Sequence, residues 1–132
     1  DFNLEEVVRF EGETGPYVQY SHARAMSILR KAGNPGFDAA GKYRLDDSEA
    51  WETLRLLADF PATVLKAVEE YEPSVIAKYG IHLAKAFNRY YAHSRILEDD
   101  DQKEARLALV KSVAEVLKES LRLLVVKAPD EM

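Results

Sequence analysis

Two breaks, Gly15-Pro16 and Gly33-Asn34-Pro35, bracket the stretch that most limits how this chain folds. Pro16 has no N–H and a fixed φ, so it suits the first turn of a helix, where an N–H would find no acceptor. From there Tyr17, Tyr20, Ala23 or Arg24, Ser27 and Ile28 recur at steps of three and four, the helical period, until Gly33-Asn34-Pro35 stops the pattern. A loop from Gly12 to Gly15 thus delivers a helix whose first turns carry two tyrosines.

Further helices follow from the same period. Residues 3–9 fit a short helix, with Asn3 as cap and Leu4, Val7 and Val8 apolar. Gly33 to Asp47 is rich in glycine and aspartate and reads as one long exposed loop. Asp46, three residues before Glu49, gives a cap-like start to a helix with Trp51, Leu54, Leu57 and Ala58 on its apolar face. Pro61 opens a short helix with Val64, Leu65 and Val68 inward, and Glu72-Pro73 closes it, because the residue before a proline is pushed out of the α region. Pro73 starts the next. There Ile76, Tyr79, Leu83, Ala86 and Tyr90 fall within about 60° of one another, which is a core stripe. Phe87 borders that stripe, Tyr91 lies farther out, and Lys85, Arg89, His82 and His93 point elsewhere. Glu98 to Asp101 forms an acidic turn with Asp101 and Glu104 at cap-box spacing. The last helix aligns Val110, Val113 or Ala114, Leu117, Leu121 and Leu124, leaving Lys111, Lys118 and Arg122 outside. Strand-like alternation persists nowhere. The fold class is therefore all-α: a bundle of about five helices with one long loop. Residues 1–12 are expected to be the tail of a preceding domain or an entry helix, and 13–132 the bundle.

A chain of 132 residues is one domain, able to bury roughly two-thirds of its unfolded surface. It has no cysteine, which excludes disulfides and thiolate metal sites. There is no apolar run of about 18 residues and no signal-like start, so a soluble, cytoplasmic protein is expected. The start at Asp1 suggests a fragment. A net charge of −5 argues globally against nucleic-acid binding, but the charge is uneven. Residues 38–59 hold six acids against three bases, whereas residues 80–97 hold Lys85, Arg89 and Arg95 with no acid, and residues 21–33 hold Arg24, Arg30 and Lys31 with none. Two such helices either present one basic face or are ordinary solvated surfaces.

No catalytic constellation is evident. His22, His82 and His93 lack metal-ligand spacing with a third ligand, and Arg89 and His93 are too close for the arginine-to-histidine motif of some helical ribonucleases. Gly12-Glu13-Thr14-Gly15 lacks the lysine of a phosphate-binding loop, so any contact it makes with RNA is through backbone N–H groups and shape. Phe87 and Tyr91, four apart beside Arg89 and Lys85, are the sharper signal. Aromatics at this spacing are either core or stacking platforms for unpaired bases.

Phe10 to Arg24 (FEGETGPYVQYSHAR), with Ser27-Ile28-Leu29-Arg30-Lys31 after it, resembles the entry to the anticodon-binding domain of arginyl-tRNA synthetases. Ala86-Phe87-Asn88-Arg89-Tyr90-Tyr91 is similar to the middle of that domain. Ala105 to Lys111, and Leu123-Leu124 through Ala128 to Met132, are similar to its carboxyl terminus. The resemblance covers nearly the whole chain. It implies a helical domain of the DALR type that grips the anticodon loop of arginine tRNA, within a class I ligase that joins arginine to its tRNA using ATP and magnesium. The catalytic motifs of that family lie upstream of this segment, so the chain itself carries no catalytic residue, metal or cofactor, and its partners are the tRNA and the catalytic domain of the same polypeptide. No membrane partner is expected, and a monomer is. Site residues carried over by position are Gly12, Thr14, Gly15, Tyr17 and Tyr20 at the entry, Arg24, Asn88 and Arg89 around it, Phe87 and Tyr91 facing splayed bases, and Met132 at the pocket for the middle cytosine. Two positions depart from the family pattern. Val125 stands where many relatives have glycine before the final turn, and Tyr91 occupies a position that varies among aromatics and smaller residues. A helical protein-interaction module that docks a partner helix on exposed aromatics is the alternative from another class. The related anticodon domains of cysteinyl and glycyl enzymes fit the Gly15-Pro16-Tyr17 entry poorly.

Overall fold

The computed structural model describes residues 15–36 and 45–124, and among them are five helices and no strand. These are α1 (Gly15–Lys31), α2 (Ser48–Ala58), α3 (Phe60–Glu69), α4 (Pro73–His93) and α5 (Lys103–Leu123). The short helix read at 3–9, the division at residue 12, Gly12, Thr14, the middle of the long loop and the tail with Val125 and Met132 all lie outside the described residues. The flanks of the long loop, on either side of 37–44, are non-helical as expected.

α4 is the centre, touching each of the other four helices. Its stripe of Ile76, Tyr79, Leu83, Ala86 and Tyr90 is buried, and so are Ala77, Ala84 and Phe87. The buried arc is wider than the stripe because neighbours surround most of the helix. Phe87, expected at a border where it could face bases, is completely inside. Facing it, α5 buries Val110, Val113, Ala114, Leu117 and Leu121, with Leu124 just beyond. Large apolar side chains enclosed in this way stabilise the fold by about 1.5 to 3 kcal/mol each. α1, α4 and α5 meet closely at Gly80: a Cβ there would lie 3.9 Å from the Ser120 Cβ and 4.0 Å from both Val18 methyls. α1 turns Val18, Ala25, Ile28 and Leu29 inward, which leaves Tyr17 and Tyr20 on its exposed side. It ends as its sequence indicates. Gly33 has φ of 84°, its N–H donates to the Arg30 carbonyl at 3.0 Å, and the Asn34 N–H donates to the Leu29 carbonyl at 2.8 Å.

α2 and α3 depart from expectation. α2 buries Ala50 and Thr53, whereas Trp51 is 61% exposed and its ring N–H donates to the Leu45 carbonyl at 3.1 Å. Leu54 and Leu57 are half-buried and Ala58 is exposed. α3 buries nothing: Leu65 and Val68 are exposed and Val64 is only half-covered. Periodicity says which side chains share a face. It does not say whether another element covers that face, and α3 lies at the rim, chiefly against α4. The α2–α3 corner is pinned by Tyr79, whose hydroxyl donates to the Leu56 carbonyl at 2.6 Å and whose ring lies 5.5 Å from Phe60. Burial, and then the charge of Asp59, push that phenol above the usual tyrosine range. α3 stops at Glu69, before the residue preceding Pro73, because Tyr71 adopts a left-handed φ of 51° and the Glu72 N–H reaches back to the Ala67 carbonyl at 3.0 Å.

The caps shift by one residue. Asp47 rather than Asp46 caps α2, accepting from the Ala50 N–H at 3.3 Å, while the Ser94 hydroxyl donates to its other oxygen at 2.5 Å. At α5 the acid engaged is Asp100, not Asp101; its Oδ1 accepts from the Gln102 N–H at 2.9 Å and from Arg106 Nη2 at 2.8 Å. Buried Arg106 also donates to the carbonyls of Ile96 at 3.1 Å and Glu98 at 2.8 Å, closing the whole acidic turn. A guanidinium satisfied in this way is a stronger organiser than a solvent-facing cap box.

The bond from Arg106, followed by that from the Gln102 N–H, holds the Asp100 carboxyl below its ordinary range. A carboxyl that titrates lower when folded supports stability above its unfolded pKa and loses that support as pH falls through the folded value. Asp100→Asn should therefore lower Tm at pH 7, and the deficit against the wild type should shrink as pH is lowered toward about 2, in thermal melts followed by circular dichroism. An equal deficit at both pH values would show that the carboxylate charge is not what stabilises the turn.

Candidate nucleic-acid interface

Tyr17, Tyr20, Ser21 and Arg24 lie on one side of α1, because steps of three and four return to the same face. Asn88 and Tyr91 occupy the matching side of α4. Their side chains interlock. Arg24 Nη1 donates to Asn88 Oδ1 at 2.7 Å, and Nη2 donates to the Tyr20 hydroxyl at 2.9 Å. The Asn88 amide NH2 donates to Ser21 Oγ at 2.8 Å and to the Tyr17 hydroxyl at 3.0 Å. Ser21 in turn donates to the Tyr17 carbonyl at 2.9 Å. The Arg24 guanidinium carbon lies 4.2 Å from the Tyr91 ring centre and 4.9 Å from that of Tyr20. Such cation–π contacts are worth about 0.5 to 2 kcal/mol each, depending on desolvation.

The result is a groove of about 400 Å³ between α1 and the end of α4, with Tyr20, Arg24 and Tyr91 in its wall and Arg30 and Lys31 along its edge. It offers two exposed aromatic rings, a cation against both, and phenol hydroxyls beside it. A planar, electron-rich ligand with hydrogen-bonding edges fits that chemistry. Among the described residues, no group of three or more His, Cys, Asp or Glu is placed to hold a metal ion.

Of the expected site residues, Tyr17, Tyr20, Arg24, Asn88 and Tyr91 come together. Gly15 sits buried at the start of α1. Phe87 lies in the core, wholly buried, and has no ring face for a base. Arg89 turns toward α2, where it forms an ion pair with Glu52. His22 is buried, whereas His82 and His93 are on the surface. Ser21 and the edge cations Arg30 and Lys31 were not among the expected contacts. The signal for Ser21 and Lys31 was present, since residues 17, 20, 21, 24, 27, 28 and 31 share one side of a helix with the period of α1; Arg30 lies off that side.

Known proteins resemble this chain over most or all of its length. The profile described as the DALR anticodon binding domain matches residues 18–132. The arginine–tRNA ligase of Ligilactobacillus salivarius is 76% identical over the whole chain, and that of Lactiplantibacillus plantarum is 73% identical. The chain spans 23% of the length of each. The arginyl-tRNA synthetase of Thermus thermophilus superposes with a TM-score of 0.79 at 41% identity, over 93% of this chain and 22% of that one. No helix among the described residues is long and apolar enough to cross a membrane.

The contrast in burial between the two expected stacking residues is measurable without any ligand. Phe87→Ala should destabilise the chain by about 3 to 5 kcal/mol through the cavity it leaves, whereas Tyr91→Ala, at 43% exposure, should cost no more than about 1 kcal/mol. Denaturant unfolding of both variants checks this. Comparable losses would put Tyr91 in the core as well.

Proposed function

Since the chain belongs to the DALR anticodon binding domain family, we propose that it recognises the anticodon loop of arginine tRNA as one domain of a longer arginine–tRNA ligase. The observation that carries this reading is the pair of exposed rings, Tyr20 and Tyr91, both against Arg24 in an open groove. Anticodon bases are unpaired and splayed, so their faces are available to such rings and their edges to the neighbouring polar groups. Gly12, Thr14 and Met132 belong to the same proposed surface, with Gly15 at the helix start. Asn88 is part of its framework, and Arg89 flanks it from the side of α2.

In this reading the catalytic domain of the same polypeptide joins arginine to the tRNA with ATP and magnesium. This chain supplies selection of the tRNA. The setting is cytoplasmic and the protein monomeric.

A labelled anticodon hairpin of arginine tRNA, titrated against the chain beside a copy altered at the middle anticodon base, tests the proposal. The matched hairpin should bind more tightly, and Tyr91→Ala should weaken it by about tenfold to a hundredfold, the usual worth of one stacked base. Equal affinity for the two hairpins, or no effect of Tyr91→Ala, would leave the anticodon reading without support. Capture of a partner helix by the same groove would favour a protein-interaction module instead.

A further inference from the structure

Every bond in the α1–α4 network has a direction that follows from the chemistry of its partners. A guanidinium only donates. Asn88 must therefore turn its oxygen to Arg24 Nη1, and the Tyr20 hydroxyl must accept from Nη2. With its oxygen committed, Asn88 presents its NH2 to Ser21 Oγ and the Tyr17 hydroxyl, and both of these accept. The Ser21 proton goes to the Tyr17 carbonyl. Each phenol thus accepts one bond from within the protein and keeps its own O–H to donate. No acceptor for either proton occurs among the described residues. The two hydroxyls belong to side chains three residues apart on α1 that are 37% and 41% exposed.

We propose that Asn88 is a positioning residue that fixes the Tyr17 hydroxyl as an outward donor, as Arg24 fixes that of Tyr20, and that this pair of hydroxyls binds a group with hydrogen-bond acceptors and no competing donor. Within the RNA-binding reading given above, on which this rests, such a group is either a phosphodiester oxygen or the acceptor edge of a cytosine, its O2 and N3. Arg24, bonded to the Tyr20 hydroxyl, favours the same polarity. An amino edge pointed at these hydroxyls would meet donor with donor. Asn88 need not touch the ligand. It acts by deciding which way the Tyr17 proton turns.

Asn88→Asp isolates this effect, because a carboxylate keeps the shape and still accepts from Arg24 but has no N–H for Tyr17. The Tyr17 proton then turns inward to the carboxylate, and the outward donor is lost. Asn88→Asp and Tyr17→Phe should each weaken the anticodon hairpin by about threefold to tenfold, the worth of one hydrogen bond. The double variant should bind no more weakly than Asn88→Asp alone. If the two losses multiply, Asn88→Asp acts through its added charge, and the proposal is overturned. Tyr17→Phe binding as tightly as the wild type overturns it too.

Titration of the chain with inorganic phosphate and, separately, with cytidine, followed by the Tyr17 and Tyr20 ring resonances in NMR, distinguishes the two sources and stands independently of Asn88→Asp folding. Saturation by phosphate that is lost in Tyr17→Phe and Tyr20→Phe assigns the backbone, and saturation by cytidine alone assigns the base edge. Saturation by neither sinks the donor pair, even if the hairpin still binds. A wild-type chain that saturates with phosphate yet ignores the hairpin would overturn the anticodon reading and leave the donor pair standing.

Discussion

Burial of α4 on nearly all sides is the constraint from which the rest of the structure follows. Tyr90, Phe87 and Leu83 are its largest enclosed side chains, and each of the other four helices touches it. One residue along a helix is a rotation of about 100°. Fixing Phe87 and Tyr90 inside therefore fixes where Asn88 and Tyr91 point. The apolar interior sets the rotation of the helix, and the surface site inherits it. Tyr90 marks how tightly this is drawn: its hydroxyl is buried with no hydrogen-bond partner among the described residues, and burial, then Asp47, raise its pKa above the usual tyrosine range. The shape of the core is kept at the cost of one unsatisfied polar atom.

α1 contributes its half by the opposite means. Its inward face is mostly apolar, while the join to α4 at the groove is polar and runs through Arg24, Asn88, Ser21 and Tyr17. A side chain as long as arginine ordinarily loses much rotamer freedom when a ligand arrives. Here Arg24 is already fixed by two hydrogen bonds and two rings. What a ligand would otherwise have to order is ordered in the fold, which favours affinity without new contacts.

The helical period made the fold largely legible. The stripe of α4, the stripe of α5 and the end of α1 are where the sequence puts them, because each has a stop signal or a core-facing repeat with chemistry of its own. The misreadings share a cause. Trp51, Leu65, Val68 and Phe87 were assigned by their place in a pattern, but their burial depends on which neighbours come to lie beside them, and a single helix carries no record of that. Asp46 and Asp101 were chosen over Asp47 and Asp100 because adjacent acids are equivalent until a partner such as Ser94 or Arg106 selects one. At the groove, the resemblance identified Tyr17, Tyr20, Arg24, Asn88 and Tyr91 together. The order of their hydrogen bonds could not be read there, since it needs Asn88 to be seen between Arg24 and Tyr17.

The ion pair of Arg89 with Glu52 bears on selectivity. The acid-free run from 80 to 97 suggests a cationic strip, yet one of its charges is answered across the helix interface, and Arg24 is folded into aromatic and amide contacts. A domain of net charge −5 built in this way is a poor general collector of polyanions. Under the anticodon reading proposed above, its long-range field would not hold every RNA that drifts past, and residence would depend on contacts that only a complementary loop can complete. The countercharge at Glu52 would then act as a filter: it would suppress indiscriminate retention and leave discrimination to shape and hydrogen-bond direction.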